Sequence, residues 1–481
     1  MNVIFLIPPV SKRNRVPERV FGCSYGLYPI PNIFILTFAA ILREDGNAVE
    51  VIDAPIMKLG ADQFYAYLKT KENSCFVFYS VNLSTELDIS IGRRLRIDHP
   101  RTPIIFCGPA PTYNPSRFLI DQHTFVIRGE PDYTLKTMVR YLRGDLGLSL
   151  KEIKGISYLG NDGIIDNPFC DLITSLDELP FPARDLIRRD QYYNPKLKLR
   201  PFTAMITSRG CPYRCSFCVP CSLTFARKLE YQRFYGISRI PPVAFSSPKR
   251  VIAEFELLKR EGYRAVSIID DEFLLKPQRV KEICRGIKGF NIKWGCLARA
   301  DHLNDEELIQ LMAEAGCEYV DIGIESFNQK ILDDIKKEID VRKIPDTIKL
   351  LKKYKIEPKL NILVASSPLE TRETIIDTIQ KAMALKPGLI MYNICLPFPG
   401  TELYRRAKSE KWFINGDYKP VDVQKESIIQ FPHLKVEEIE RIVRRANLRF
   451  FLQFRFILSN LKIIFNLRDF FIALKEILRK F

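Results

Sequence analysis

Apolar and polar positions alternate along the first 145 residues in a way that predicts buried strands separated by helices. The five predicted strands are Asn2 to Ile7, Ala48 to Ile52, Cys75 to Tyr79, Pro103 to Phe106 and Phe125 to Ile127. Helix-like stretches lie between and after these runs, so consecutive strands are expected to be parallel and joined by crossover helices. The pattern predicts a doubly wound, flavodoxin-like (Rossmann-type) α/β sheet.

The same alternation restarts at Ala204 and continues through the second half of the chain. The predicted strands there include Thr203 to Thr207, Ser267 to Ile269, Lys293 to Leu297 and Tyr319 to Ile324. Such a series fits a partial barrel of TIM type, in which chemistry takes place at the carboxyl ends of the strands.

The pattern also predicts where the domains begin and end. We expect an α/β domain over 1–145, a linker with a hairpin over 146–198, a barrel domain over 199–420 and a helical segment over 421–481. The turn pair Asn161-Asp162 joins two short strands in the linker. A proline-rich connector, Leu179 to Asp185, cannot hold a helix.

Composition narrows the class of protein. The chain has 481 residues, 46% of them hydrophobic and 27% charged, which excludes a disordered or fibrous protein. Its first residues enter a predicted strand without a basic leader, so no signal peptide is expected. The twelve cysteines are scattered apart from one cluster. These features predict a reducing, cytoplasmic location.

The formal net charge of +16 is concentrated near the carboxyl end. Residues 441–481 hold ten Lys or Arg and two acids, a net charge of +8. Because the excess belongs to a tail, it disfavours nucleic-acid binding by the domains. The basic residues interrupt every apolar run, so none reaches the ~20 residues of a membrane span. Two interpretations stay open: helices packed on the catalytic domain, or peripheral membrane contact through 441–481.

Three cysteines carry the strongest chemical signal. Cys211, Cys215 and Cys218 have the spacing C-x3-C-x2-C, which lets three thiolates bind one iron-sulfur cluster and leaves one iron without a protein ligand. A structural zinc site that includes Cys221 is the alternative. Zinc sites usually consist of two separated C-x2-C pairs, whereas these four cysteines lie within eleven residues. The spacing therefore favours iron and sulfur.

This motif, with Phe217 before its last cysteine, resembles that of the radical SAM superfamily. The resemblance implies a partial (β/α)6 barrel and a [4Fe-4S] cluster whose open iron chelates S-adenosylmethionine. One electron then cleaves this cofactor to a 5'-deoxyadenosyl radical. The resemblance also places Phe217 at the cofactor.

Charged residues follow several predicted barrel strands, and a zwitterionic methionine moiety needs acids for its ammonium and an arginine for its carboxylate. The resemblance implies that a turn at Asp270 and Asp271 contacts the methionine amine, and that Arg299 and Glu325 contact the rest of the cofactor. The alternative is that these four residues form salt bridges at strand ends.

The strings Cys107 to Thr112 and Val126 to Glu130 resemble the glycine-rich loop and Gly-Glu turn of the cobalamin-binding domain in many radical SAM enzymes. The histidine motif D-x-H-x-x-G is absent after the first strand, which implies cobalt without a histidine ligand. The resemblance and the expected carboxyl ends of the strands give these candidate cobalamin-binding residues: Pro9, Ser80, Asn82, Ser84, Gly108, Pro109, Gly129 and Glu130.

Together these resemblances imply a cobalamin-dependent C-methyltransferase that uses a 5'-deoxyadenosyl radical and methylcobalamin. A small-molecule substrate, in particular a lipid or isoprenoid, is expected, and so is an electron donor such as ferredoxin or flavodoxin. One alternative is a cyclase, or another ring-modifying or carbon-carbon bond-forming enzyme, acting on a lipid or tetrapyrrole. Others are a transfer-RNA methylthiotransferase, with a second cluster at Cys23, Cys75 and Cys107, and a non-catalytic cofactor sensor.

Overall fold

The computed structural model describes residues 1–10, 15–25, 28–145 and 147–453. It divides into two compact units. The first consists of Met1–Pro212 and Val219–Asp271, and the second consists of Tyr213–Cys218 and the chain from Glu272 onward.

The first unit contains the predicted doubly wound sheet. Its parallel strands are β1 (Asn2–Ile7), β2 (Ala48–Asp53), β3 (Ser74–Tyr79), β4 (Ile104–Cys107) and β5 (Thr124–Ile127). Their order across the sheet is β2-β1-β3-β4-β5. This is the flavodoxin-like order, so the prediction is confirmed.

Helices cover both faces of this sheet, and the alternation within β1 shows why. Val3 and Phe5 belong to one hydrophobic core, whereas Ile4 and Leu6 belong to another. The first core includes α1 (Ile33–Glu44) and α6 (Asp132–Arg143), and the second includes α3 (Ala61–Lys69), α4 (Thr85–Asp98) and α5 (Pro109–Tyr113). Between β2 and α3 lies the short helix α2 (Ala54–Met57). Successive strand residues point to opposite faces, so both faces need an apolar cover.

The predicted hairpin is present, but it also extends the sheet. Strands β6 (Ile156–Gly160) and β7 (Gly163–Asp166) are antiparallel, and β6 pairs with β5 to give seven strands. The sequence indicated the turn but not this pairing. The hairpin covers the edge of β5, which would otherwise present unpaired backbone groups.

The rest of the first unit contains the first strands of the second α/β series. Strand β8 (Phe202–Met205) pairs in parallel with β11 (Ala265–Ile268), and β9 (Ser208–Arg209) pairs antiparallel with β10 (Ala244–Phe245). Helices α7 (Ser222–Tyr235) and α8 (Pro248–Arg260) lie between them in the chain. Helix α7 packs against α5 of the flavodoxin-like sheet.

The second unit continues the β/α alternation. Its four parallel strands are β12 (Lys293–Arg299), β13 (Cys317–Glu325), β14 (Glu357–Val364) and β15 (Leu389–Ile394). Its helices before the last segment are α9 (Pro277–Ile287), α10 (Glu306–Glu314), α11 (Gln329–Asp334), α12 (Ile344–Lys353), α13 (Arg372–Ala384) and α14 (Glu402–Ser409). Every second residue of β14 is buried and the others are part-exposed, as in a strand with one face under helices. The predicted class of fold is confirmed for both strand series.

The last described element is α15 (Val436–Phe451). Its apolar side chains, including Ile439, Val443 and Phe450, are buried, and the helix packs on β15 and α13. This supports the packed-helix interpretation for 441–451. The remainder of the predicted amphipathic tail, 454–481, lies outside the described residues. Within the part of the chain that is described, no helix is both long and apolar enough to cross a membrane.

Candidate functional site

The first cysteine of the motif follows β9 through a turn that requires glycine. Gly210 has φ +115°, and a Cβ there would lie 3.3 Å from the Cα of Val243. A side chain at this position would be strained in its backbone and crowded by a neighbouring main chain. Cys211 follows directly and is part-exposed.

The other two cysteines lie in a tight turn of the second unit. The amide of Cys218 donates to the carbonyl of Cys215 at 3.2 Å. Between them, buried Ser216 donates its amide to Ile335 O at 3.0 Å and accepts the amide of Leu403 at 2.8 Å. The turn is therefore fixed on both sides, while both cysteines and Phe217 are part-exposed.

Two cations lie close to Cys215. Burial raises the pKa of its thiol, whereas Lys337 and Arg299 lower it and Glu325 raises it further. The ammonium of Lys337 lies 2.8 Å from Glu325 Oε1, and both side chains are buried. Burial lowers the pKa of Lys337, but Glu325 and Cys215 oppose this and leave it above its ordinary value. The two cations thus offset part of the effect of burial on Cys215, although the pKa of its thiol stays above its ordinary value.

The ion pair between Glu325 and Lys337 depends on a glycine in β13. Glu325 has φ +63°, and the register with β14 shifts between Gly323 and Glu325. A Cβ on Gly323 would lie 2.6 Å from Glu325 Oε1 and 2.8 Å from Lys337 Nζ. Because Gly323 has no side chain, the end of β13 can bend so that the carboxylate of Glu325 lies beside it.

Arg299, at the end of β12, is held by several acceptors. Its Nη2 donates to the carbonyls of Lys337 at 2.7 Å and Glu338 at 3.1 Å. Its guanidinium also makes a two-point ion pair with Asp301, both distances 3.0 Å. The predicted residues Arg299 and Glu325 therefore lie around the same lysine, which the sequence analysis did not identify.

A second set of contacts holds Tyr213, which follows Cys211 and Pro212 in the motif. The Tyr213 ring lies under the Arg299 guanidinium, 3.6 Å from its carbon to the ring centre. The Tyr213 hydroxyl is 2.7 Å from His302 Nε2, and His302 Nδ1 is 3.2 Å from Glu272. The hydrogen bond to Glu272 raises the pKa of His302. Tyr213, His302 and Glu272 gave no signal in the sequence.

Asp270 and Asp271 contact their own chain in the first unit. Asp270 is fully buried and accepts from Thr207 N at 2.6 Å and from Ser208 Oγ at 2.8 Å. Asp271 accepts from Cys221 N at 2.6 Å and from Gly210 N at 3.4 Å. Burial raises the pKa of Asp271 to about 6. Both acids thus support backbone on either side of the cysteine motif.

Cys221 differs from the three motif cysteines. It is 2% exposed, and its thiol lies 3.3 Å from Thr224 Oγ1. Burial raises the pKa of this thiol well above its ordinary value, and Asp271 adds to the rise. A buried neutral thiol is a poor metal ligand, so the burial of Cys221 disfavours the alternative of a zinc site that includes it.

The candidate cobalamin residues after β3 form a buried network. Asp88 accepts from Ser80 Oγ at 2.7 Å and Ser84 Oγ at 2.8 Å, and it pairs with Arg19 at 2.7 Å. A Cβ on Gly108, which has φ +103°, would lie 2.6 Å from Ser80 O. Two neighbouring loops at the carboxyl end of the sheet therefore approach each other through backbone.

The remaining candidates lie at the ends of β1, β3, β4 and β5. Gly129, with φ +71°, donates its amide to Thr112 Oγ1 at 3.0 Å. Pro9, Asn82 and Pro109 are buried. The structure thus places all eight candidate residues just after the carboxyl ends of the strands, with Pro109 at the start of α5.

Glu130 belongs to a buried group of four charges, here termed the Arg209 network. Arg209 makes two hydrogen bonds to Asp132, at 2.9 and 3.0 Å, and one to Glu130 at 3.0 Å. Arg227 pairs with the other oxygen of Glu130. Burial lowers the pKa of Arg209, but the two carboxylates raise it above its ordinary value. The network ties the loop after β5 to the residue two positions before Cys211.

Within the described residues, no three Cys, His, Asp or Glu side chains are arranged as for a single metal ion. In a four-iron cluster each cysteine binds a different iron, so its ligands stand farther apart than those of one ion. Within the second unit, Cys215 and Cys218 are suitable donors for such a cluster, because both thiols are part-exposed in a turn fixed by hydrogen bonds and two cations lie close to Cys215.

Comparisons with known proteins agree with this chemistry. The family model described as "Radical SAM superfamily" matches residues 205–382. The chain is 28% identical over 459 residues to an uncharacterized methyltransferase of Pyrococcus horikoshii, a match that covers 94% of this chain and 93% of the relative.

Two further relatives match over part of their length. The anaerobic magnesium-protoporphyrin IX monomethyl ester cyclase of Cereibacter sphaeroides is 26% identical over 293 residues, covering 59% of this chain and 45% of the cyclase. The hopanoid C-3 methylase of Methylococcus capsulatus is 27% identical over 307 residues, covering 62% of this chain and 53% of the methylase. The chain thus spans about half the length of these two proteins.

Among solved structures, the chain resembles the cobalamin-dependent S-adenosylmethionine radical enzyme OxsB, with aqua-cobalamin and S-adenosylmethionine bound. The TM-score is 0.69 at 16% sequence identity, and the match covers 96% of this chain and 67% of that one. At this identity the likeness establishes the fold.

Proposed function

Because the chain belongs to the radical SAM superfamily and has the fold of a cobalamin-dependent member, we propose that it is a cobalamin-dependent radical C-methyltransferase. Cys211, Cys215 and Cys218 are the proposed ligands of a [4Fe-4S] cluster. When bound, this cluster supplies the electron that cleaves S-adenosylmethionine. The observation that carries the proposal is the geometry at the motif: Cys215 and Cys218 lie part-exposed in a turn fixed by hydrogen bonds, and the cations of Lys337 and Arg299 lie close to Cys215.

We assign the methionine end of S-adenosylmethionine to the same charged group. Glu325 offers a buried carboxylate to the ammonium, and Arg299 and Lys337 offer positive charge to the carboxylate. The part-exposed ring of Phe217 would contact the cofactor from the cysteine turn. Asp270 and Asp271 act on the cofactor through the backbone that they hold, since their oxygens accept hydrogen bonds from residues flanking the motif.

Cobalamin is assigned to the loops at the carboxyl end of the flavodoxin-like sheet. Gly108 and Gly129 give these loops conformations that other residues rarely adopt, and so allow a flat ligand to approach the backbone closely. Cobalt would have no histidine ligand from this domain, because His99 and His123 precede β4 and β5, at the opposite end of these strands from the candidate loops. When bound, methylcobalamin supplies the transferred methyl group.

The substrate is a small molecule, and we propose a lipid or isoprenoid. The similarity to a hopanoid C-3 methylase supports this class.

Ferredoxin or flavodoxin is the proposed electron donor, and the cytoplasm is the proposed location. We retain the predicted division into domains at 1–145, 146–198, 199–420 and 421–481.

A cyclase is the second candidate, because the chain also resembles the anaerobic protoporphyrin ester cyclases. Transfer-RNA methylthiolation receives less support. Cys75 lies near the amino end of β3, whereas Cys107 lies at the carboxyl end of β4, and both are buried. Burial raises the pKa of Cys75 to about 12. These two thiols are poorly suited to share a second cluster with Cys23.

Reductive cleavage of S-adenosylmethionine tests the proposal. The full chain, reconstituted with iron and sulfide under anaerobic conditions, is expected to release 5'-deoxyadenosine after reduction with dithionite. Cys218→Ala should abolish this product, and Cys221→Ala should retain it because Cys221 is buried and neutral. Equal activity of both variants and the parent chain would contradict the assigned cluster ligands. Absence of 5'-deoxyadenosine from a parent chain that holds its cluster would contradict the proposed chemistry.

A further inference from the structure

The end of α7 and the turn after it expose several large apolar side chains. All seven residues from Arg233 to Arg239 are exposed. Among them, Phe234 is 60%, Tyr235 50% and Ile237 58% exposed. Exposed apolar residues that occur singly are ordinary, but a contiguous group of them marks a surface that contacts another apolar phase.

The aromatic rings of this surface pack on one another. Phe169 stacks on Phe234 with ring centres 5.3 Å apart and meets Tyr235 edge-on at 5.6 Å. Tyr231 lies 4.5 Å from Tyr235 by ring centres. We call Phe169, Tyr231, Phe234, Tyr235 and Ile237 the aromatic tip. Its rings hold each other in place outside the two cores of the flavodoxin-like sheet, so their exposed edges form a preformed apolar surface.

The base of the aromatic tip is fixed. Next to Phe169, the Pro168 carbonyl accepts the amide of Gly155 at 2.7 Å, and the Asn167 side chain donates to Ile153 O at 2.7 Å. Arg233, in the last helical turn of α7, pairs with Asp166 at 2.7 Å. The tip is thus attached to the β6–β7 hairpin and to α7, both of which are firmly hydrogen-bonded elements.

The charged side chains around the tip carry both signs, since exposed Asp166 and Asp171 flank Phe169 in the chain and Asp166 pairs with Arg233. From residue 231 to 253 the sequence has four basic residues and no acidic one. Arg239 is exposed in the same turn as Ile237. Aromatic and aliphatic side chains flanked by arginine are suited to the boundary between lipid headgroups and acyl chains.

The size of the surface distinguishes lipid from a protein partner. A specific protein interface buries about 800 Å² on each side and involves about 20–30 residues. The aromatic tip is one helix end, one turn and one side chain of a neighbouring loop. It is too small for such an interface by itself, but a few aromatic residues are sufficient to enter a bilayer surface.

We propose that the aromatic tip inserts into the surface of a lipid bilayer. This membrane contact is separate from the basic tail of residues 441–481. It neither requires nor depends on the chemistry proposed for the cysteine motif. It would hold the chain at a membrane through these few side chains.

Tryptophan fluorescence at the tip is the test. Trp294 and Trp412 are the native tryptophans of the chain and are 0% and 7% exposed, so they should respond little to lipid. In the full chain, Phe234→Trp is expected to shift its emission to the blue with vesicles of phosphatidylcholine and phosphatidylglycerol. Brominated acyl chains should quench this emission. The matched control is Ile97→Trp, because Ile97 is 68% exposed on α4, away from the tip in the fold, and its emission should change by less than a tenth as much.

A second measurement uses vesicle sedimentation of the full chain. The triple variant Phe234→Ser, Tyr235→Ser, Ile237→Ser should bind the same vesicles about tenfold or more weakly, since three apolar side chains no longer enter the lipid. Ile97→Ser should bind like the parent chain. The proposal is overturned if the chain does not bind these vesicles. It is also overturned if the Phe234→Trp variant binds them while the emission of the added tryptophan stays unquenched, because binding through the tail alone would give that result. It is also overturned if that emission shifts with protein concentration without lipid, which would indicate a second copy of the chain.

Discussion

Removing one charge from the Arg209 network should destabilise the first unit strongly. The network contains two cations and two anions, all less than a tenth exposed: Arg209, Arg227, Glu130 and Asp132. Asp132→Asn keeps the shape of the side chain but leaves a net positive charge in a site from which water is excluded. Breaking a buried ion pair in this way costs about 3–5 kcal/mol, a large part of the about 5–15 kcal/mol that stabilises a typical domain.

Urea unfolding of the apo chain, followed by circular dichroism, measures this loss. The matched control is Asp185→Asn, since Asp185 pairs with Arg43 at 2.7 Å but the two side chains are 65% and 44% exposed. Such a surface pair contributes about 0–1 kcal/mol. The control variant should therefore unfold almost like the parent, and Asp132→Asn at a much lower urea concentration.

A double variant makes the reasoning sharper. Adding Arg209→Met to Asp132→Asn removes the uncompensated cation and leaves Glu130 paired with Arg227. If electrostatics dominate, the double variant should be more stable than Asp132→Asn alone. The reasoning is refuted if Asp132→Asn lies within about 1 kcal/mol of the parent chain, or if the two substitutions add.

Three further predictions concern single residues. Gly323→Ala should weaken binding of S-adenosylmethionine about tenfold or more in equilibrium dialysis, since its Cβ would displace the Glu325–Lys337 ion pair, while Gly147→Ala, in open space, should not. Gly108→Ala should lose its bound corrin but keep its iron, as measured by the amount of each per chain, because the added Cβ would lie 2.6 Å from Ser80 O. The control is Gly46→Ala, which should keep both, because Gly46 also has a positive φ but a Cβ there would have no neighbour within 4 Å. Burial raises the pKa of Asp271 from 3.8 to about 6, so its charged form destabilises the folded chain and stability is lost as the pH rises through this range. The unfolding free energy of Asp271→Asn relative to the parent chain should therefore rise by about 2 kcal/mol between pH 4 and pH 7; a constant difference would contradict the assigned pKa.

The sequence predicted the elements that depend on local pattern. The five strands of the first sheet agree with the structure to within two residues at each end, because each is a short apolar run followed by a polar loop. The carboxyl-end loops followed from strand direction alone. The pairing of β6 with β5 did not, since the edge at which a hairpin docks is a tertiary choice that leaves no periodic signal.

The candidate site was predictable only in part, and for a similar reason. Arg299 and Glu325 stood out because they end apolar strands. Lys337 lies after α11, twelve residues beyond Glu325, and nothing in its neighbourhood indicates that it turns back to pair with that carboxylate. The Arg209 network joins residues that are 77 or more positions apart, so it too leaves no local pattern.

The central claim is that this chain holds one [4Fe-4S] cluster through its cysteine motif and one corrin in its flavodoxin-like sheet. The most direct measurement is the amount of iron and corrin bound per chain after anaerobic purification with added iron, sulfide and cobalamin. We predict about four irons and one corrin per chain, with the iron lost in Cys211→Ala. Zinc in place of iron would contradict the cluster assignment, about four irons without corrin would contradict the methylcobalamin mechanism, and about eight irons would point to the two-cluster transfer-RNA enzymes instead.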